Sequence, residues 1–288
     1  MMKIITNDYG CGISSAFLDY GLKDVVVCSE QNQDHIFDLQ GEPLFFVGHE
    51  FLMYLWDTER KRNHWRNYPH QKIIWCFEKI DCVVPVYQEK SHYSLSQCQT
   101  FTDSFLASDE QDCRKYGITW FPQWSSNRFY QQRSQQPAES RVVFTGQSGF
   151  WGYEKRDALL ERLRKHEDVC YVSNRTREFS WDDYIHNFLN HSKILAPFGN
   201  LKAFNTRTFE AVTSGRLLLQ QVDEEYNWHV KLLEDCKTVK FFTSYEELIE
   251  LLQSKEVAEF TPSAEEAIKM FNKHNIFARF KSVGLEVK

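Results

Sequence analysis

Short apolar runs recur along the whole chain, and this repetition limits the possible folds more than any other feature. Polar segments of helical or irregular character separate the runs. The strict apolar–polar alternation of a half-exposed strand is missing, and continuous apolar runs are typical of parallel strands that helices cover on both faces. The runs are 4–6, 25–28, 44–47, 73–77, 105–107, 118–121, 142–145, 169–172, 194–197, 217–220 and 239–242. We therefore predict an α/β protein built on parallel sheets.

Two helix starts in the second half carry the signature of a capping box, a hydroxyl residue followed three positions later by glutamate. Ser244 precedes Glu247 in this way, and Ser263 precedes Glu266. In a capping box the hydroxyl accepts a hydrogen bond from the third helical residue, and the glutamate accepts one from the cap residue. Helices are predicted to begin at both positions.

The segment 123–140 is polar and glutamine-rich and contains a proline, which makes it the best candidate for a domain boundary. A boundary near residue 135 gives domains of 1–135 and 136–262, each with enough strands for one doubly wound sheet. Ligands in such sheets bind at the carboxyl ends of the strands. We expect two Rossmann-like domains that face each other across a cleft, with the site in that cleft.

Composition and charge exclude several classes of protein. Hydrophobic residues make up 42% of the 288 and aromatic residues 15%, so the chain is not globally disordered. The net charge of -6 opposes general attraction to a polyanion, and no apolar run is long enough for a membrane span. Signal-peptide features are missing at the N-terminus, and the eight cysteines form no CxxC pair. We expect a cytoplasmic protein with reduced thiols.

The segment 204–219, FNTRTFEAVTSGRLLL, carries the strongest functional signal. It predicts a short helix that ends at Gly215 and leads into a buried strand. Backbone N–H groups at the start of that helix, together with Arg207, suit a diphosphate. Glu210, one turn later, is placed to accept hydrogen bonds from two ribose hydroxyls. An ordinary helix with a glycine at its end explains the segment equally well.

A second segment, 142–149 (VVFTGQSG), predicts a strand followed by a glycine loop. Gly146 would let the loop backbone approach a ligand closely, and Gln147 lies beside it. Lys155 and Arg156 begin the next helix and are cations for a phosphate. Alone this signal is weak, because any turn from strand to helix can use glycine.

Taken in order, the segments resemble the glycosyltransferases of GT-B architecture, specifically the CgeB-like branch. In the second half the resemblance rests on FTGQSGFWGYEKRDALLERL, 181–184, 190–194, NTRTFEAVTSGRLLL, 244–248 and 273–279. In the first half it rests on 74–78 and 105–122. It covers most of the chain and is loosest before residue 70.

This resemblance implies metal-independent transfer of a hexosyl or pentosyl group from a nucleoside diphosphate sugar, commonly UDP-linked, to a hydroxyl acceptor. The donor would lie on the second domain, with Glu210 on the ribose and Asn205, Thr206 and Arg207 near the diphosphate. Gly146, Gln147 and Arg156 would complete the donor site. The resemblance also implies that 263–283 forms a closing helix that packs back on the first domain.

Lys202 departs from the family pattern. Many retaining members carry a carboxylate eight positions before the ribose glutamate, and Lys202 stands at that position. A lysine there would neutralise a phosphate. The choice between retention and inversion therefore stays open, and so does a non-catalytic module that binds a nucleotide or nucleic acid on the same fold.

Three polar residues in the first half follow predicted strands and are candidates for the base that deprotonates the acceptor. They are Asp8, His49 and Glu78. A carboxylate or imidazole at such a strand end can remove a proton when burial tunes its pKa. For each one taken singly, a helix cap or a surface polar group is the more ordinary explanation.

The segment 60–72 contains five Lys or Arg residues, two His and no acid. Arg60, Arg62, Trp65 and Arg66 would suit phosphates with a stacked base, although a solvated helix surface explains the segment too. In size and fold the chain also resembles phage-type enzymes that glycosylate modified DNA bases, which would act in the host cytoplasm. The acceptor therefore stays open between a saccharide and a modified DNA base.

An NAD-dependent oxidoreductase is a rival interpretation. It would use Gly10-Cys11-Gly12 after the first strand, but a third glycine at the right offset is missing, and only Glu30 loosely meets the expected acid. The histidines do not form a metal-binding pattern, since His186 and His191 are five residues apart and His64 and His70 are expected in a polar loop without nearby carboxylates. No metal and no cofactor beyond the sugar nucleotide are predicted.

Overall fold

A computed structural model describes residues 2–7, 13–29, 33–49, 52–81, 95–146, 153–166, 169–173, 180–198 and 204–287. Within these residues the chain forms a six-stranded and a five-stranded sheet, and every neighbouring strand pair in both is parallel. Each predicted apolar run is a strand in the structure. The prediction of an α/β chain with parallel, Rossmann-like sheets is thus confirmed.

The first sheet has the strand order β2-β1-β3-β4-β5-β6. Its strands are β1 Lys3–Asn7, β2 Val25–Cys28, β3 Leu44–Val47, β4 Lys72–Cys76, β5 Ser104–Ala107 and β6 Thr119–Trp120. The helices along this part of the chain are α1 Ile13–Leu18, α2 Glu59–Arg66 and α3 Glu110–Tyr116, with short 3-10 turns at Gln33–Asp38 and Met53–Leu55.

Both faces of this sheet are buried, which explains its continuous apolar runs. Ile5, Phe46 and Ile74 belong to one apolar cluster together with Trp56 and Trp65. The neighbouring residues Phe45 and Trp75 point to the opposite face, where both rings contact Phe121. Alternate side chains of one strand therefore enter two different cores.

The second sheet has the order β11-β10-β9-β7-β8. Its strands are β7 Glu139–Gly146, β8 Val169–Ser173, β9 His191–Ala196, β10 Leu217–Gln221 and β11 Val239–Phe242. The helices here are α4 Asn127–Gln131, α5 Glu154–Leu163, α6 Trp181–Leu189, α7 Thr206–Thr213, α8 Asn227–Leu232, α9 Tyr245–Gln253, α10 Lys255–Ala258, α11 Ala264–His274 and α12 Ile276–Ser282, with a 3-10 turn at Glu224–Tyr226. Val143, Ile194 and Leu218 face one core, and Phe144, Leu195 and Leu219 face the other.

The two predicted capping positions do begin helices, but the main hydrogen bonds of their glutamates are made to other residues than the cap. Ser244 Oγ accepts from the backbone N–H of Glu247, and Ser263 Oγ accepts from that of Glu266, each at 3.2 Å. The Glu247 carboxylate accepts mainly from the N–H of Thr243 and more weakly from that of Ser244. The Glu266 carboxylate accepts from the N–H of Lys237. A reciprocal capping box occurs at α6, where Ser180 and Asp183 exchange hydrogen bonds.

The chain divides into a first unit of Met1–Gln123 with Arg279–Lys288 and a second unit of Trp124–Ala278. The sequence prediction placed the boundary near residue 135, eleven or twelve residues later. The polar composition of 123–140 concealed two apolar anchors, Trp124 and Phe129, which are 2% and 0% exposed. Phe129 belongs to the same core cluster as Val143 and Leu218, so its segment is part of the second unit.

The predicted closing helix, 263–283, is two helices in the structure. Ala264–His274 lies in the second unit and packs on α7, with Met270 in the same core as Phe209. Only the residues from Arg279 onward belong to the first unit. The end of α12, rather than the whole predicted segment, thus belongs to the first unit.

Along the described parts of the chain, none of the helices combines the length and apolarity needed to cross a membrane.

Candidate functional site

The order of strands in the second sheet reverses between β7 and β9. β8 lies on one side of β7, whereas β9, β10 and β11 follow on the other. Connections leave the sheet on opposite faces at such a point, which opens a crevice at the carboxyl ends of the strands where ligands bind. β7 ends at Gly146 and β9 ends at Ala196, so this position in the fold is the first place to examine for a site.

Helix α7 begins close to this crevice, and its start is built by a cap. The Asn205 side chain accepts a hydrogen bond from the backbone N–H of Arg207 at 3.0 Å. Thr208 Oγ1 donates to Gln220 Oε1 at 2.6 Å, and Gln220 Nε2 donates to the Ala196 carbonyl at 3.0 Å. This chain of hydrogen bonds fixes the first turn of α7 against the ends of β9 and β10.

The guanidinium group of Arg207 lies against the end of β7. Its central carbon is 4.7 Å from the centroid of the Phe144 ring. A Cβ atom at Gly146 would lie 2.6 Å from Arg207 Nη2 and 2.8 Å from Phe144 Cζ, so a larger residue at this position would require these side chains to shift. The two predicted segments, the glycine loop and the start of the 204–219 helix, therefore meet at one point.

Arg207 has unused hydrogen-bonding capacity. Its Nε and Nη1 atoms are buried and have no hydrogen-bond partner among the described residues. Buried N–H groups of a cation normally have an acceptor, because an unmade hydrogen bond to a charged group is costly. The arrangement therefore suits an anion with oxygen atoms that accept from both nitrogens.

A second guanidinium contacts the same aromatic ring. Arg156, on α5, is 6% exposed, and its central carbon lies 5.3 Å from the Phe144 centroid and 3.7 Å from that of Tyr153. Aromatic faces stabilise buried guanidinium groups without cancelling their charge. Phe144 thus supports two cations at the end of β7.

Glu210 lies one turn after Arg207 and is 2% exposed. The hydroxyl of Tyr184, on α6, donates to Glu210 Oε2 at 2.6 Å. Burial raises the pKa of Glu210 to about 7, while the hydrogen bond from Tyr184, the charge of Arg207 and a hydrogen bond from Thr206 oppose that rise. Two guanidinium groups thus contact the Phe144 ring at the end of β7, and the buried acid Glu210 lies one turn after one of them, Arg207.

The structure brings together six of the eight predicted donor residues in one region of the second unit. They are Gly146, Arg156, Asn205, Thr206, Arg207 and Glu210. Gln147 and Lys202 lie outside the described residues. Sequence reasoning missed the contribution of Tyr184, whose spacing with Ile185 and Phe188 marks it only as a core position of an amphipathic helix.

The first-unit candidates for a base receive less support. Asp8 lies outside the described residues. His49 follows β3 but is 0% exposed and packs edge-on against Phe105, with ring centroids 5.6 Å apart, so it does not reach a solvent-borne hydroxyl in this structure. Glu78 follows the adjacent strand β4 and is half-buried, which leaves it the better placed of the two described residues.

A network of charges fixes the segment that follows Glu78. Lys79 Nζ donates to Asp109 Oδ1 at 3.2 Å. The backbone N–H groups of Ile80 and Asp81 donate to the Asp112 carboxylate at 2.5 and 3.4 Å. The segment 79–81 is thereby held on the start of α3, and these contacts limit how far Glu78 can move.

Two acids that precede the basic segment 60–72 pair with three of its five Lys and Arg residues. Arg62 and Arg66 both pair with Glu59, at 3.1 and 2.5 Å, and Lys61 pairs with Asp57 at 3.0 Å. Arg60 is exposed.

Trp65 is a core residue rather than a surface aromatic. It is 0% exposed, and its indole Nε1 donates to the Leu55 carbonyl at 2.8 Å. The expectation that Trp65 stacks on a nucleic-acid base is thus wrong for this structure, because its ring packs against Phe37 and Phe46.

Across the described residues, no group of three or more His, Cys, Asp or Glu side chains is arranged to hold a metal ion. The residues of the NAD interpretation, Gly10-Cys11-Gly12 and Glu30, lie outside those described. In comparisons with known proteins, the chain matches no protein-family model and no curated protein.

Proposed function

We propose that this chain is a glycosyltransferase that uses a nucleoside diphosphate sugar, UDP-linked, bound at the crevice between β7 and β9. One observation carries the proposal. Arg207 presents two buried nitrogen atoms that have no hydrogen-bond partner among the described residues, at the first turn of α7 and against the glycine that ends β7. A diphosphate supplies the oxygen atoms that these nitrogens lack, and the start of a helix adds its partial positive charge.

The proposed roles follow from where charge develops during the reaction. The bond between the anomeric carbon and the phosphate oxygen breaks, and negative charge grows on the departing diphosphate. Arg207 and Arg156 stabilise that charge without a metal. Asn205 and Thr206 orient the start of α7, and Glu210 accepts from the ribose hydroxyls once the nucleotide is bound.

The acceptor is proposed to be a hydroxyl group of a saccharide. Its oxygen attacks the anomeric carbon, and its proton passes to a base, for which Glu78 is the candidate among the described residues. A modified DNA base is the weaker alternative, because Glu59 pairs with both Arg62 and Arg66 and because Trp65 is buried.

Replacing Arg207 tests the donor site directly. Arg207→Ala removes charge-assisted hydrogen bonds to the diphosphate, so it should weaken UDP-sugar binding by about 1.5 to 3 kcal/mol, roughly a ten- to hundredfold rise in Kd. Isothermal titration calorimetry measures this change. Arg162→Ala is the matched control, because Arg162 belongs to the same unit, is 54% exposed and pairs with Glu246 at 3.1 Å.

Equal affinity in the wild type and in Arg207→Ala would contradict the donor site. Thermal-shift measurements with UDP, UDP-sugars and NAD separate the glycosyltransferase from the oxidoreductase interpretation, since only a bound ligand raises the melting temperature. Mass spectrometry of the products after incubation with saccharide acceptors separates an enzyme from a module that binds the donor without turnover.

A further inference from the structure

Glu210 is a buried acid within a site that we propose for an anion. It faces the Tyr184 hydroxyl from α6, and Arg207 and Thr206 from its own helix. A ligand that is negatively charged and close to Arg207 therefore also comes close to Glu210. Two negative groups in a region of low exposure repel each other strongly, because little water screens them.

The charged groups on the other elements packed against α7 are engaged elsewhere. Arg128, on α4, pairs with Asp182. Glu266, on α11, accepts from the backbone N–H of Lys237 and pairs with Lys269. His274 packs against Phe209. Two buried cations near β9 and β10 bind backbone carbonyl oxygens. Lys193 donates to the carbonyl of Ala258. Arg216 donates to four carbonyls, those of Arg133, Ser214, Gln135 and Leu189. Among the described residues, the pKa of Glu210 therefore depends mainly on its burial and on Tyr184, Arg207 and Thr206, to which a ligand would add.

Binding of a diphosphate acts on this balance through charge. Within the protein, the positive charge of Arg207 favours the ionised form of Glu210. A bound diphosphate satisfies Arg207 and adds negative charge beside a buried acid, and both effects raise the pKa of Glu210, whereas hydrogen bonds from the ribose hydroxyls act in the opposite sense. We expect the charge effects to dominate, because little water screens them. Because burial already brings that pKa to about 7, a further rise protonates the group at neutral pH.

We propose that binding of a nucleoside diphosphate sugar at this site is coupled to the uptake of a proton by Glu210. The inference rests on the proposed function, since it needs the diphosphate beside Arg207. The sign follows from linkage: the complex holds more protons than the free protein, so the affinity falls as the pH rises. The ligand is bound most tightly below neutral pH, where Glu210 is neutral before binding.

Calorimetry with UDP-glucose tests the coupling, because its diphosphate diester carries no group that titrates near neutral pH. Titrations in buffers with different ionisation enthalpies, from about pH 6 to about pH 9, give the number of protons taken up. We expect uptake that approaches one proton per site near pH 8, and a Kd that rises by as much as about tenfold per pH unit there.

Two variants assign the proton to Glu210. Glu210→Gln keeps an oxygen that can accept from Tyr184 but cannot ionise, so uptake and the pH dependence of Kd should disappear. Tyr184→Phe removes a hydrogen bond that favours the ionised form, so the pH range of uptake should move upward. The second variant also covers the case in which the first fails to fold.

Three results would overturn the proposal. Binding of UDP-glucose without proton uptake excludes the coupling while leaving the donor site intact. Uptake that persists in Glu210→Gln assigns the proton to another group. Absence of binding by the wild type rejects the proposed function itself, and the coupling with it.

Discussion

At the scale of single residues, buried charges connect segments that are distant in the sequence. Arg216 is 0% exposed and donates to the carbonyl oxygens of Gln135 and Leu189 at 2.8 and 2.9 Å. Burial lowers the pKa of Arg216 to about 10, which still leaves it a cation at neutral pH. In the first unit the buried Asp112 accepts from the backbone N–H groups of Ile80 and Asp81. Such charges stabilise a fold only while their partners stay in place.

The pH dependence of stability should reveal Asp112. Burial raises its pKa from 3.8 to about 6, and the neighbouring Asp109 carboxylate adds to the rise. Between these values the folded protein binds more protons than the unfolded chain. The contribution of Asp112 to stability therefore falls as the pH rises through this window, by at most about 3 kcal/mol. We expect the free energy of unfolding of Asp112→Asn to lack this part of the pH dependence.

Urea unfolding at a series of pH values measures the difference, and hydrogen exchange assigns the transition to the first unit. Asp57→Asn is the control, because the side chain of Asp57 is 46% exposed in the same unit. A free-energy difference between wild type and Asp112→Asn that stays constant from about pH 4 to pH 6.5 would contradict the buried, raised acid.

At the scale of elements, α7 depends on the glycine that follows it. Gly215 has φ of +71°, a left-handed conformation that ends the helix. A Cβ atom there would lie 2.3 Å from the backbone oxygen of Ser263, just before α11 begins. The N–H of Ser263 also donates to the Gly215 carbonyl at 3.0 Å. One residue therefore sets both the end of α7 and its close approach to α11.

Gly215→Ala should consequently destabilise the second unit by several kcal/mol, the sum of left-handed strain and displacement of the 263 backbone. Gly117→Ala is a matched control, because Gly117 has φ of +65° and no atom within 4 Å of the added Cβ. It should cost only the strain, about 1 to 2 kcal/mol. Thermal unfolding compares the two variants. Equal losses of stability would show that the contact with Ser263 does not contribute.

The elements were easier to predict from the sequence than the site. Strands such as 25–28 and 44–47 were predicted with the bounds that the structure gives, because strands buried on both faces leave continuous apolar runs. Arg207 and Gly146 were predicted separately, but nothing local showed that they touch. The Tyr184–Glu210 hydrogen bond joins residues 26 positions apart, which the sequence does not reveal.

At the scale of the whole molecule, the chain leaves the first unit and returns to it. It leaves after Gln123 and returns at Arg279, and Arg279 Nε donates to the Gln123 carbonyl at 3.2 Å. Local composition could not locate these points, since the glutamine-rich stretch begins in a loop and continues into the core of the second unit. Each unit has its own apolar core, so a change in one core should act on that unit.

The final prediction concerns the residues that return to the first unit. Phe280 is 0% exposed, and its ring centroid lies 4.9 Å from that of Phe45 and 5.4 Å from that of Phe121. Phe280→Ala leaves a cavity in this cluster and should destabilise the first unit by about 3 to 5 kcal/mol. Phe277 lies on the same helix but is 44% exposed, so Phe277→Ala should change stability by less than about 1 kcal/mol.

Hydrogen exchange followed by mass spectrometry distinguishes the two variants. In Phe280→Ala, protection should be lost in β1–β6 and kept in β7–β11, whereas Phe277→Ala should keep protection in both sheets. Equal loss in both sheets would instead mean that the two units unfold as one.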